Sequence, residues 1–162
     1  MAAFDYFLRV EGVPGESADV KHKGEIDVLS WSWGETNATG PRGPGGGAGA
    51  GRVEMSDLTV VAPVSKASPQ LLLACASGKH FKSAVLTGRK AGKGQADYLT
   101  FSLSDVLISS YQTGGSASDE PPMDSVALSF GKIQVEYKEQ KADGSLGETV
   151  KVGWDRKANK QI

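Results

Sequence analysis

Residues 22–34 read HKGEIDVLSWSWG, and this segment decides the fold more than any other part of the chain. Side chains of a β-strand point to opposite faces with a period of two. The odd positions are Asp27, Leu29, Trp31 and Trp33, and the even positions are Ile26, Val28, Ser30 and Ser32. Two tryptophans on one face need a thick hydrophobic cover, whereas the serines opposite can face water. Such a strand is typical of the wall of an antiparallel barrel or sandwich.

Composition favours one folded domain. The chain has 162 residues, of which 39% are hydrophobic and 23% are charged, and these are ordinary values for a globular protein. The formal net charge of −1 gives no electrostatic reason to expect binding to nucleic acid or to an anionic membrane.

The start of the chain predicts no secretory signal. Residues 1–12 carry Asp5 and Arg9 where a signal peptide needs an apolar run, and no stretch approaches the roughly 18 apolar residues of a membrane span. Cys75 is the one cysteine and has Leu and Ala neighbours, so we predict a buried thiol and no intrachain disulfide. We therefore expect folding in the cytoplasm, no membrane insertion, and export only by a route that needs no cleavable signal.

Alternating apolar residues predict about seven antiparallel strands in all. Besides the segment 22–34, they are expected at 4–10, 53–61, 81–89, 98–111, 123–137 and 149–154. In the segment 123–137 the buried set changes from even to odd positions, which predicts a β-bulge near Gly131 or Lys132. Asp143-Gly144 predicts a hairpin turn.

One helix is predicted from Ser68 to about Ser77. Ser68 is a suitable N-cap, Pro69 suits the first helical position, and Gly78 suits the C-terminal stop. Residues 71–76 are apolar nearly all round, so we expect this helix to be packed into the body of the protein.

A glycine-rich loop is predicted at residues 36–51, which read TNATGPRGPGGGAGAG. Its composition favours flexibility, and loops longer than about 12–15 residues are usually functional or disordered. It lacks the pattern of a phosphate-binding loop and lies between two strands, so no helix N-terminus would face a phosphate. We therefore expect no nucleotide site and no cofactor.

No group of residues predicts an active site. His22 and His80 are isolated from any second histidine or carboxylate at metal-ligand spacing, so we expect satisfied or solvated surface histidines and no metal. Asp119, Glu120 and Asp124 flank a proline pair and are interpreted as carboxylates of a solvated loop. A hydrolase remains an alternative only because serine, histidine and aspartate are all present.

A secreted carbohydrate-binding β-module is the stronger alternative. Trp31 and Trp33 could stack on sugars if their rings were exposed. Leu29 on the same predicted face favours a core position for at least one of them.

Five segments resemble the Hcp (haemolysin-coregulated protein) family of the type VI secretion system. They are GVPGES at 12–17, HKGEIDVLSWSWG at 22–34, SPQLLLACASGKH at 68–80, DVLISSYQTGG at 105–115 and VGWD at 152–155. The resemblance runs in order along nearly the whole chain. It implies a small antiparallel β-barrel of two packed sheets with one flanking α-helix, similar to phage tail-tube proteins.

The resemblance also implies a function without catalysis. Members of the family form six-membered rings that stack head to tail into a tube, carry small effectors in the lumen and leave the cell by the type VI route. The other implied partners are a trimeric spike protein at the tube tip, a contractile sheath and a baseplate. Alternation together with the resemblance predicts that Ser32, and with it Ser30, faces the lumen. The resemblance further implies that the glycine-rich loop reaches the next ring, through Gly40, Arg42, Gly45, Gly47, Gly49 and Arg52.

Overall fold

Eleven β-strands and one α-helix form the part of the chain that this computed structural model describes, which is residues 3–37, 52–91 and 94–162. The strands are β1 Phe4–Val10, β2 Ile26–Val28, β3 Ser30–Ser32, β4 Glu35–Asn37, β5 Val53–Met55, β6 Leu58–Pro63, β7 His80–Lys90, β8 Asp97–Gly114, β9 Met123–Gln140, β10 Leu146–Asp155 and β11 Lys160–Gln161. The helix, α1, is Ser68–Ser77. The prediction of a mainly β protein with one flanking helix is confirmed. There are more strands than predicted, partly because segments 22–34 and 53–61 each divide into two.

Nine of the strands belong to one antiparallel sheet, and β4 and β5 form a separate two-stranded sheet. The long strand β9 organises the larger sheet. It pairs with β8 along one edge, whereas on its other edge the first half pairs with β6 and the second half with β10. The sheet continues from β8 through β7 and β1 to β2, and a branch runs from β6 to β3.

The tryptophan segment is two strands, not the single strand that its alternation predicts. Ile26 and Val28 are buried, Leu29 is 55% exposed, and Trp31 packs against the core. The buried positions therefore change from even to odd at Leu29, where the chain leaves its pairing with β1 and begins to pair with β6. The N–H of Leu29 donates to the carbonyl of Val61 at 2.8 Å. The sheet curls around one core, but its ladder is interrupted at this point, and pairing among residues 3–37, 52–91 and 94–162 does not close the barrel.

The core draws apolar side chains from β1, β2, β6, β7, β8, β9 and α1. The largest fully buried side chains are Leu8, Leu58, Leu86, Leu103, Ile108, Leu128, Val10, Val60, Val106 and Val126. Burial of side chains of this size, at about 1.5–3 kcal/mol each, is the main stabilising term for a domain of this kind.

The predicted β-bulge near Gly131 or Lys132 is wrong, although β9 does change its buried face there. The register between β8 and β9 is continuous at this level and shifts only between Ile108 and Ser110. β8 changes face opposite Gly131, where Asp105 adopts a φ of 53°. Because both strands change face together, no inserted residue is needed.

The helix has the predicted bounds, and Gly78 ends it in the left-handed conformation with a φ of 66°. Its expected burial is wrong. Among its apolar residues only Leu71 and Ala74 are fully buried, while Leu72 is 52% and Leu73 is 65% exposed. A single helix on the outside of a curved sheet can cover only one stripe of its own surface, so its apolar composition alone overestimated its contacts.

Candidate functional site

Ser30 and Ser32 lie on the outward face of β3, as the alternation predicts, and both are exposed. Trp31 points to the opposite face. Its ring lies 5.9 Å from that of Tyr6 and 5.0 Å from that of Phe101, between ring centroids. Trp33 packs near Phe101 at 6.4 Å. Both tryptophans pack against the core, which confirms the core position expected for at least one of them.

The two serines belong to a larger surface made by four neighbouring strands, β3, β6, β9 and β8. Cross-strand pairs place Ser30 beside Val61, Ser125 and Gln112 in one row, and Ser32 beside Thr59, Ala127 and Ser110 in the next. We call these eight residues the small-residue face. They are exposed or half-buried, and the alternate residues of the same strands form the core.

The small-residue face carries no charged side chain among its eight members. Its hydroxyl and amide groups can exchange hydrogen bonds with water or with another protein. The side chains of the small-residue face are therefore suited to contact with another molecule. The sequence led to Ser30 and Ser32 only. The alternation of Ser125 and Ala127 with the buried residues of β9 was the signal that could have extended the prediction.

The predicted loop contact falls largely outside the described residues. Gly40, Arg42, Gly45, Gly47 and Gly49 lie in the part of the chain that the structure does not describe. Arg52 is described: its Nη2 donates to the carbonyl of Arg156 at 3.0 Å.

Residues 36 and 37, at the start of the predicted loop, instead belong to β4, which pairs with β5.

The two histidines have different surroundings. His80 is exposed, with Nδ1 3.2 Å from Oδ1 of Asp105. His22 is buried, and its two ring nitrogens contact Glu25 and Asp97. Both ring nitrogens of His22 are thus satisfied, as one of the two expected alternatives states, but its expected surface position is wrong. The spacing of residues could not show its contact with Asp97, which is 75 positions away. No group of three or more potential ligands that could hold a metal ion occurs among the described residues.

The prediction that Asp124 lies in a solvated loop is also wrong, because this residue is buried. It accepts hydrogen bonds from the hydroxyls of Ser68 and Tyr111, the latter at 2.9 Å. Burial and the bond to Asp124 raise the pKa of Tyr111. Ser68 is consequently not an N-cap: it ties the first turn of α1 to β9, and Ala67 occupies the cap position.

Asp119 and Glu120 are exposed, as expected. The free thiol of Cys75 is only partly buried and packs against the core, so the predicted full burial is not reached.

A groove of about 800 Å³ lies between the β4–β5 hairpin and the end of the larger sheet. Its apolar lining includes Met55, Val135 and Val152. The indole N–H groups of Trp33 and Trp154 also lie at this groove and have no hydrogen-bond partner among the described residues.

None of the helical residues that the structure describes forms a span long and apolar enough to cross a membrane.

Comparison with known proteins identifies the family. The sequence profile described as "Type VI secretion system effector, Hcp" matches residues 7–137. Protein hcp1 of Pseudomonas aeruginosa is 46% identical over 161 residues, which cover 98% of this chain and 99% of that protein. The crystal structure of Hcp1 from Salmonella typhimurium is 37% identical, with a TM-score of 0.84 over 99% of this chain and 100% of that one. A solved structure of a type six secretion system protein has a TM-score of 0.93 at 28% identity, covering 99% and 100% of the two chains. With the β-rich fold and the sequence motifs in agreement, this chain belongs to the Hcp family of the type VI secretion system.

Proposed function

We propose that this chain is a tube subunit without catalytic activity. Six copies form a ring, rings stack head to tail into the inner tube, and small effectors travel in the lumen, which is lined by the small-residue face. The spike trimer, the contractile sheath and the baseplate are the partners of the assembled tube, and the tube leaves the cell by the type VI route. The small-residue face is the observation that carries the proposal.

The strand edges of this face support ring formation. β3 pairs with β6 on one side, and no strand among the described residues pairs with its other side. On β8 the pairing with β7 reaches only to Leu107, so the segment from Ile108 to Gly114 has an unpaired edge within the described chain. A patch with two different free edges can join head to tail to identical copies, and such heterologous contacts close into rings.

The dimensions also fit a protein conduit. Twenty-four strands, four from each of six copies, at a spacing of about 4.8 Å give a circumference of roughly 115 Å and a width of about 35 Å between backbones. A folded domain of about 100 residues has a radius of gyration of about 13 Å, so only small proteins would fit. An uncharged lining of small residues would let different cargoes pass without strong attraction to any one of them.

Exposed apolar residues away from this face support burial against further copies. Leu72 and Leu73 on α1, together with Val150 and Val152 on β10, are each more than half exposed. Each pair consists of near neighbours in its own element, and apolar side chains left exposed in this way are candidates for burial at contacts between copies. The glycine-rich loop, which begins and ends at the β4–β5 hairpin, is proposed to make the contact between successive rings.

Electron microscopy of the purified protein tests the assembly. We expect annular particles in negative stain with an opening of roughly 35 Å between the backbone walls, and light scattering at the mass of six copies. Side views show whether the rings stack. A monodisperse monomer at high protein concentration, with the circular dichroism of a folded β-protein, would contradict the proposal.

Cargo binding is tested at Ser32. Replacement of Ser32 by tyrosine places six large rings in the proposed lumen, and the stability of the subunit should change by no more than about 0.5 kcal/mol because the site is exposed. We expect annular particles as before and a several-fold loss of the small proteins that copurify with the rings from producing cells, measured by mass spectrometry. Val20→Tyr is the matched control, since Val20 is 95% exposed and lies away from the small-residue face. Equal amounts of copurified cargo on the two variants would contradict the proposal that Ser32 lines the lumen.

A further inference from the structure

A second cluster lies on the face of β1 and β7 that points away from the core. Phe7 is buried there, although its neighbours in β1, Tyr6 and Leu8, face the core instead. The His22 ring stacks on the Phe7 ring with 4.3 Å between centroids and an interplanar angle of 9°. The guanidinium of Arg89 lies 4.9 Å from the same ring centroid. The cover over Phe7 comes from residues 11–25, which we call the β1–β2 loop.

Each ring nitrogen of His22 faces a carboxylate. Nδ1 contacts Oε2 of Glu25 within the β1–β2 loop, and Nε2 lies 3.0 Å from Oδ1 of Asp97 at the start of β8. Neutral imidazole has one N–H donor and one bare nitrogen, which would point its lone pair at an acceptor-only carboxylate. The imidazolium ion donates from both nitrogens, so this arrangement fits the charged form. Of these two carboxylate contacts, only the one with Asp97 joins the loop to another element of the fold.

Arg89 and Asp19 form the other ion pair of the cluster and keep their charges near neutral pH. Arg89 donates to both carboxylate oxygens of Asp19, and one of these bonds measures 2.9 Å. It also lies 3.4 Å from Asp5 on β1. The bond from Arg89 holds the pKa of Asp19 at about 2, even though burial acts in the opposite direction. The bond to Asp19 also raises the pKa of Arg89.

Asp19 further accepts from the backbone N–H of His22 at 3.1 Å, which places the imidazole in the cluster. The ammonium group of Lys21 donates a hydrogen bond of 3.0 Å to the carbonyl of Gln95, which lies beside the turn before β8. Within the described part of the chain, the charged and titratable groups around His22 are therefore Glu25, Asp19 and Lys21 in the loop, Asp5 on β1, Arg89 on β7 and Asp97 on β8.

We infer that His22 is a pH-sensitive latch that holds the β1–β2 loop against the start of β8. The Arg89–Asp19 contact is an attachment of the loop that keeps its charges near neutral pH, and His22 is an attachment that titrates in this range. Loss of the His22 proton removes one donor and leaves a lone pair opposite a carboxylate. The part of the loop around His22 then opens locally, while the core, to which Val13 near the start of the loop belongs, stays folded.

The direction of the effect follows from the surroundings of His22. Burial disfavours its charge, but the bonds to Asp97 and Glu25 outweigh burial and raise its pKa above the ordinary value of 6.5. A raised pKa in the folded state means that the latch contributes fully below pH 6.5 and is lost as pH rises through the folded-state pKa. An exported subunit would thus hold this loop more firmly in a mildly acidic medium than in an alkaline one.

The chain has two histidines, so His80→Gln gives a protein in which His22 is the only one. In its NMR spectrum the single imidazole signal should titrate above the ordinary value of 6.5. Backbone amide exchange of the β1–β2 loop, corrected for intrinsic rates, should show roughly threefold or more greater protection at about pH 6 than at about pH 8.5. Residues 68–77 of α1 should show no such difference.

His22→Gln supplies the complementary test, because glutamine keeps a donor and carries no charge at any pH. Loop protection in this variant should be independent of pH over the same window, whereas His80→Gln should behave as the wild type. If His22→Gln does not fold, the titration and exchange of His80→Gln decide alone. Titration of His22 at or below its ordinary value, or equal loop protection at both pH values, would overturn the latch.

Discussion

Replacement of Arg89 by methionine is expected to lower the free energy of unfolding by about 3 kcal/mol. The Arg89 side chain is only 4% exposed, and its guanidinium contacts Asp19 and Asp5. Removal of one partner from a buried ion pair leaves the other charges desolvated and unpaired, which costs about 3–5 kcal/mol. We expect the low end because Asp5 is 37% exposed and keeps part of its hydration. Urea unfolding at neutral pH and fixed protein concentration measures the change.

Arg9→Met is the matched control, since Arg9 lies on the same face of β1 as Phe7 but is exposed. Its effect should stay within about 0.5 kcal/mol. Addition of Asp19→Asn to Arg89→Met should recover part of the loss, because it removes the carboxylate that the arginine had neutralised. Equal destabilisation by Arg89→Met and Arg9→Met would show that the ion pairs of Arg89 contribute little to the free energy of unfolding.

The parts of the fold that the sequence predicted depend on local patterns. Period-two alternation located most of the strands, and the bounds of α1 follow from Pro69 and from Gly78, whose left-handed conformation favours glycine. The turn at Asp143-Gly144 is present, with the Gly144 N–H donating to the carbonyl of Lys141 at 2.9 Å. Each of these signals lies within a few residues of the structure that it specifies.

The features that the sequence missed depend on distant partners. Nothing near Leu29 indicates that the chain changes from β1 to β6 as its neighbour. The contact of His22 with Asp97 spans 75 positions, and that of Arg89 with Asp19 spans 70. Charged residues are usually solvated, so a spacing rule interprets them as surface groups unless the partner is known.

The small-residue face was predictable only in part, for the same reason. The outward direction of Ser30 and Ser32 follows from the alternation with Trp31. Their alignment with Ser125 and Ala127 requires the order of the strands, because β6 lies between them. The sequence of a single strand therefore predicts which residues of that strand face outward. The extent of the small-residue face over four strands depends on the order of the strands in the sheet.

Trp31→Ala is the second variant for which we expect a large effect, a loss of about 3 kcal/mol of unfolding free energy. Truncation of a packed tryptophan removes its contacts and leaves a cavity, at a cost of about 3–5 kcal/mol. The Trp31 ring meets Tyr6 edge-on and also contacts Phe101, so it joins β3 to β1 and β8 across the interrupted ladder. We expect the low end of the range because the ring is only partly buried. Urea unfolding followed by circular dichroism gives the value without relying on tryptophan fluorescence.

Leu29→Ala is the control for this variant, since Leu29 is two residues away and 55% exposed. It should cost less than about 1 kcal/mol, because little of its surface leaves water on folding. The comparison also separates a core tryptophan from a sugar-stacking one. A platform for a glycan contributes to binding and little to folding, so unchanged stability of Trp31→Ala would argue for the platform. A loss confined to Trp31→Ala would mean that this side chain holds β3 in place, with Ser30 and Ser32 directed away from the core as a consequence.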